Sequence, residues 1–173
     1  PPGPCDGIEI DTNGVAFIGA LRELSKRHEV DWTSKDRAIK HFIGTSVGAL
    51  AACLLYCRVD IFAAETTNLI VDFCSFFGQT PTQFHSRYGL SSGQHCIEFF
   101  RNLMKKMFGK ADISFIELHN IVEGKLTLVA TDLRTAEPVY ISHETHPHEP
   151  VALACFSSMC LPGMFSWQVL RQK

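Results

Sequence analysis

One pentapeptide constrains this chain more than any other feature. Gly44-Thr45-Ser46-Val47-Gly48 lies within HFIGTSVGALAACLLY, residues 41–56. Apolar residues lead up to it, and an alanine-rich run without a charged side chain follows. The pattern predicts a strand over 38–44, a buried helix over 47–56, and Ser46 on the sharp turn between them. At such an elbow Gly44 and Gly48 let the strand and helix backbones crowd the serine. The dipole of the following helix favours negative charge there. Exposure and support for a developing anion are what a nucleophile needs, so Ser46 is the candidate catalytic residue.

The rest of the composition bounds the class. At 173 residues a single domain spanning the whole chain is expected, long enough to bury a substantial core. The 46% hydrophobic and 20% charged content is that of a soluble globular protein. A net charge of −2 gives no electrostatic footprint for nucleic acid, so no nucleic-acid partner is expected. No apolar run approaches the roughly 18 residues of a membrane span, and the opening PPGPCDG lacks the basic and apolar regions of a signal peptide. A cytoplasmic location, peripheral to membranes where lipid is met, is the expectation. Seven cysteines stand at 5, 53, 57, 74, 96, 155 and 160. Several sit in apolar runs and none forms a Cys-x-x-Cys, which points to buried free thiols in a reducing compartment rather than to a metal site.

Along the chain, residues 7–11 read as a strand. A helix over 14–28 follows, with Val15, Ile18, Leu21 and Leu24 on one face and Arg22, Glu23, Lys26 and Arg27 on the other. Helices are expected over 60–77 and 92–109, joined by a loop across 78–93. Strands over 125–133 and 137–142 flank a turn-like Arg134-Thr135-Ala136-Glu137. A last helix, 149–159, carries Pro150 near its start and is stopped by Leu161-Pro162-Gly163. Residues 164–173 read as extended. Strands alternating with helices indicate an α/β architecture with a largely parallel sheet.

The order of these segments resembles the patatin-like phospholipase family over nearly all of the chain. GVAFIGALREL is similar to that family's first helix, and FIGTSVGALAA to its nucleophile elbow. YGLSSGQHCIEFFRNLM, DISFIEL, KLTLVATDLRTAEPVYIS and ACFSSMCLPGMF follow in the family's order. The resemblance implies a three-layer α/β/α sandwich with a mostly parallel central sheet. It also implies lipid acyl-ester hydrolysis of the phospholipase A type by a Ser–Asp dyad, with phospholipid or neutral lipid as substrate and no cofactor or metal. Ser46 would attack the ester carbonyl and form an acyl-enzyme that water releases.

Two departures from the family pattern bear on activity. The family's glycine-rich oxyanion loop is here Glu9-Ile10-Asp11-Thr12-Asn13-Gly14, leaving the backbone N–H groups of Gly14 and Val15 as candidate donors. Loss of one good oxyanion donor costs on the order of 10²–10³ in rate. The dyad aspartate belongs to an Asp-Gly-Gly/Ala motif, and no Asp-Gly follows Phe165; the chain is expected to lack the family's C-terminal part. Asp132, in the Ala-Thr-Asp-Leu of the hairpin, is the candidate substitute base, although the resemblance gives it a structural role. A catalytically silent patatin-fold protein with a binding, regulatory or structural role is the alternative. A Ser–His–Asp esterase drawing on His85, His95, His119, His143, His146 or His148 is a third reading, though none of these sits in a recognisable motif.

The other features have simpler readings. Ser142-His143-Glu144-Thr145-His146-Pro147-His148 reads as a solvated loop rather than a metal site. Phe73, Phe76, Phe77, Phe99, Phe100, Met104, Met107 and Phe108 have the spacing of core helices, with lipid contact as the alternative. Ser157 and Ser158 read as capping or packing residues.

Overall fold

The computed structural model describes residues 19–27, 31–36, 39–63, 89–91, 93–166 and 168–170. The expected strand 7–11, Gly14 and Val15 lie outside them, as do Phe73, Phe76, Phe77 and most of the expected helix 60–77. The chain divides into two compact units, Pro1–Ala38 with Arg58–Thr80 and Ile39–Cys57 with Pro81–Lys173.

In the first unit residues 19–27 are helical, within the expected 14–28. Leu21 is buried, and Glu23 accepts from Arg27 one turn later at 2.8 Å on the exposed side. Arg22 lies over the Phe62 ring, 5.7 Å from its centre. Asp31 closes a turn by accepting from Thr33 and Ser34, which holds its carboxyl below the usual range, the Thr33 hydroxyl contributing most.

The second unit contains the α/β core. Its elements are β1 (His41–Thr45), α1 (Val47–Tyr56), β2 (Gly89–Ser91), α2 (Gln94–Phe108), α3 (Phe115–Ile121), β3 (Lys125–Asp132), β4 (Glu137–Ile141), α4 (Val151–Met159) and β5 (Gly163–Phe165). One sheet has the order β1-β3-β4 and a second pairs β2 with β5. β1 runs parallel to β3 with Phe42 beside Leu126 and Thr45 beside Val129, whereas β3 and β4 form an antiparallel hairpin. The larger sheet is therefore mixed.

Alternation along these strands sorts the two faces. Phe42, Leu126, Leu128, Ala130 and Ile141 are buried, on the face against which α1 and α4 pack. Leu126, Leu128 and Ile141 are each at most 2% exposed, and burial of such side chains contributes roughly 1.5–3 kcal/mol apiece. On the opposite face Ile43 is 65% and Tyr140 52% exposed. α1 is buried along most of its length, as its lack of charge requires. Its last residue, Tyr56, donates to the Val122 carbonyl at 2.7 Å and so anchors the helix where α3 ends.

α2 occupies nearly the expected 92–109, between left-handed glycines at Gly93 and Gly109, with Lys105 and Lys106 in its last turn where they oppose the helix dipole. Phe100 and Met104 are fully buried and belong to the core, while Phe99, Met107 and Phe108 are half-buried. α4 starts at Val151 after Pro150, two residues later than expected. Two elements depart from the sequence reading. Residues 89–91, inside the expected 78–93 loop, form β2 by pairing with Gly163–Phe165. Residues 115–121, given no element by the sequence pattern, form a helix held by a capping box in which Ser114 and Glu117 bond reciprocally. Among the described residues no helix is long and apolar enough to cross a membrane.

Candidate active site

Ser46 joins β1 to α1 with φ 53° and ψ −126°, a conformation that L side chains rarely adopt. Such backbone strain costs of order 1–3 kcal/mol and persists only where the surroundings enforce it. Four constraints surround it. The parallel pairing of Thr45 with Val129 fixes the strand end. The Ala49 N–H donates to the Ser46 carbonyl at 2.9 Å, closing the first turn of α1. The Ser46 N–H donates to the Ser158 hydroxyl at 3.0 Å. That hydroxyl in turn donates to the Val129 carbonyl at 2.5 Å.

Gly44 and Gly48 differ in what they do. A Cβ on Gly44 would stand 2.1 Å from the Gly48 carbonyl oxygen and 2.8 Å from the Ala49 Cα, so only glycine lets α1 pass this close to β1. A Cβ on Gly48 would meet nothing within 4 Å among the described residues. Crowding of the two backbones thus explains Gly44 alone.

Serine is a favoured N-cap residue, yet Ser46 makes no side-chain bond to the helix it starts. The residue is exposed, and its hydroxyl does no capping work at the head of α1. The N–H groups of Val47 and Gly48, in the first turn, have no helical acceptor and carry the positive end of the helix dipole. Such an arrangement favours negative charge at the position Ser46 occupies.

Asp132 ends β3, three residues beyond Val129. Its carboxylate accepts from the Arg134 N–H at 2.9 Å and from the Arg134 guanidinium at 2.9 and 3.3 Å. These bonds, the guanidinium first, hold its carboxyl below the usual range, and they close the hairpin turn. The side-chain bonds of Asp132 run to Arg134, and among the described residues none joins it to Ser46.

The histidine-rich loop is more ordered than a solvated reading implies. His143 is half-buried and its ring stacks on His119, the centres 3.7 Å apart and the planes 6° from parallel. His119 Nδ1 lies 2.9 Å from the Gly124 carbonyl oxygen. Burial first, then His119, push the His143 imidazole below its ordinary value, partly offset by Glu144. Among the described residues no three His, Cys, Asp or Glu side chains are grouped to hold a metal. Cys53, Cys57, Cys96, Cys155 and Cys160 are free thiols, and burial pushes Cys96 and Cys160 up to about 11.

Sequence reasoning undervalued Ser158. Its neighbour Ser157 bonds back to the Leu153 carbonyl within α4 at 2.8 Å, the habit of a helical serine, whereas Ser158 reaches out of the helix to the elbow. The available signal was Ser158's place in ACFSSMCLPGMF, the segment similar to a family motif.

Comparison with curated proteins returns no match. The patatin-like phospholipase family matches residues 12–173, which takes in the elbow, the hairpin and α4. On that match, the chain belongs to the patatin-like phospholipase family, an α/β family of lipid hydrolases.

Proposed function

We propose that this protein is a serine acyl-ester hydrolase of the phospholipase A type, with Ser46 as its nucleophile. The observation that carries this reading is the elbow itself: a strained, exposed serine whose hydroxyl is released from capping. In the proposed reaction Ser46 Oγ bonds to the ester carbonyl carbon and its proton passes to a base. The C–O bond to the alcohol then breaks, and the alcohol leaves protonated. Water attacks the acyl-enzyme, releasing the fatty acid and restoring the hydroxyl. The Val47 N–H, next after the nucleophile, suits one oxyanion donor; the resemblance assigns Gly14 and Val15 to the others. Phospholipid or neutral lipid is the substrate, met by a protein peripheral to the membrane, and the chemistry needs no cofactor.

A three-layer α/β/α sandwich built from one domain accompanies this reading. The support is physical: parallel strands are ordinarily covered on both faces, while the β1–β3 pair is covered by α1 and α4 on one face and exposes Ile43 on the other.

A catalytically silent protein of this fold, with a binding, regulatory or structural role, is favoured by two observations. Asp11 and Asn13 replace the small and basic residues of the family's oxyanion loop, and the Asp132 carboxylate is already held by Arg134. Fatty-acid release from phosphatidylcholine micelles by wild type and Ser46→Ala separates the two readings. Release that the substitution abolishes supports the hydrolase; equal background from both supports the silent protein.

A further inference from the structure

We propose that Ser158 is the positioning residue of the Ser46 elbow. The proposal rests on Ser46 being the nucleophile. Ser158 lies in the last turn of α4, 112 residues beyond Ser46, and its hydroxyl is used in both directions. It accepts from the Ser46 N–H at 3.0 Å and donates to the Val129 carbonyl at 2.5 Å. One oxygen thus ties the end of β1, the central strand β3 and the end of α4 together at the nucleophile.

Three features argue that this is more than a packing contact. First, a helical serine commonly points to solvent or bonds back to its own helix, as Ser157 does to Leu153; Ser158 instead spans to a carbonyl 29 residues away. Second, the N–H that Ser158 holds at 3.0 Å belongs to the residue with φ 53°, so the bond bears directly on the strained residue. Third, the bond takes the Ser46 N–H out of the set of oxyanion donors. The first-turn N–H of Val47 is left to face the oxyanion, and Ser158 thereby sets which donor serves and where Oγ stands. Ser158 touches neither substrate nor the reacting atoms, so its effect passes through the Ser46 backbone. Misplacement of a reacting group by about 1 Å costs around a hundredfold in rate.

The test uses the full chain, labelled with ¹⁵N, as wild type, Ser158→Ala and Ser158→Thr. Two quantities are read: hydrogen exchange of the Ser46 amide, and the rate of phosphonylation by a fluorophosphonate. In folded Ser158→Ala the Ser46 amide exchanges at least about tenfold faster while the core Leu128 amide keeps its rate, and phosphonylation slows roughly ten- to a hundredfold. Ser158→Thr, which keeps the hydroxyl, restores both. Should Ser158→Ala fail to fold, Ser158→Cys, near in size and a weak acceptor, is read by the same two rates. Wild-type values of both in the folded variant overturn the proposal, and so does equal acceleration at Ser46 and Leu128, which marks general loosening. If wild type itself is not phosphonylated, the nucleophile reading fails and the proposed role in reactivity is overturned with it. The exchange result then reports separately whether Ser158 holds the elbow.

Discussion

Gly44 lies directly beneath the first turn of α1, so close that a Cβ placed on it would stand 2.1 Å from the Gly48 carbonyl oxygen. The strand and the helix meet there through backbone alone, and Ser46 is the residue that makes the turn between them.

Gly44→Ala is therefore expected to force backbone apart rather than to displace a side chain. Overpacking of this kind costs about 1–3 kcal/mol, occasionally more, and the shift falls two residues before Ser46. Gly48→Ala is the control. Its Cβ enters open space among the described residues, and alanine in place of glycine in a helix changes stability by about 0.5–1 kcal/mol in the favourable direction. Thermal melts of the two variants check this: a marked fall in Tm for Gly44→Ala, and an unchanged or raised Tm for Gly48→Ala.

Asp132 is expected to serve the hairpin rather than the reaction. Its carboxylate is occupied by Arg134, and the guanidinium beside it depresses its basicity. Asp132→Asn should leave phosphonylation of Ser46 at the wild-type rate. A general base contributes about 10²–10⁴-fold, so a fall of that size in a folded Asp132→Asn protein would reassign Asp132 to proton transfer.

The stacked imidazoles give a pH dependence of defined sign. His143 titrates below the ordinary 6.5 because burial, His119 and Lys125 disfavour its charged form, with Glu144 opposing. On acidification the unfolded chain takes up the proton first, so the folded state loses stability. The contribution is fully present above pH 6.5 and is lost as the pH falls from there through the depressed value. Melts between pH 8 and pH 5 should show a decline that His143→Gln flattens; an unchanged slope in that variant would assign the decline to other groups.

The residues differ in how much of this was legible from sequence. β1 and α1 could be read because an apolar strand, a Gly-x-Ser-x-Gly turn and a chargeless helix form one long pattern. The β3–β4 hairpin could be read from its β-branched run and its turn. β2 could not: three residues carry too little alternation to register, and pairing with β5 alone defines it. α3 is seven residues long with only Phe115 and Leu118 buried, so periodicity is faint, although Ser114-x-x-Glu117 announces its start. The bond from Ser46 to Ser158 is invisible in sequence because it joins positions 112 apart. The division of labour between Gly44 and Gly48 is equally hidden, since it depends on which of the two faces the neighbouring backbone. The stack of His143 on His119 likewise needs the fold, which brings α3 and the loop after β4 together.

Labelling by a fluorophosphonate, followed by intact mass and peptide mapping, tests the nucleophile most directly, since it requires an activated serine and no assumption about the lipid. A working Ser46 gives a single adduct on the peptide containing residue 46, absent from folded Ser46→Ala. A folded wild-type protein that takes no adduct, or one that keeps its adduct when Ser46 is replaced, would contradict the assignment of Ser46 as the nucleophile.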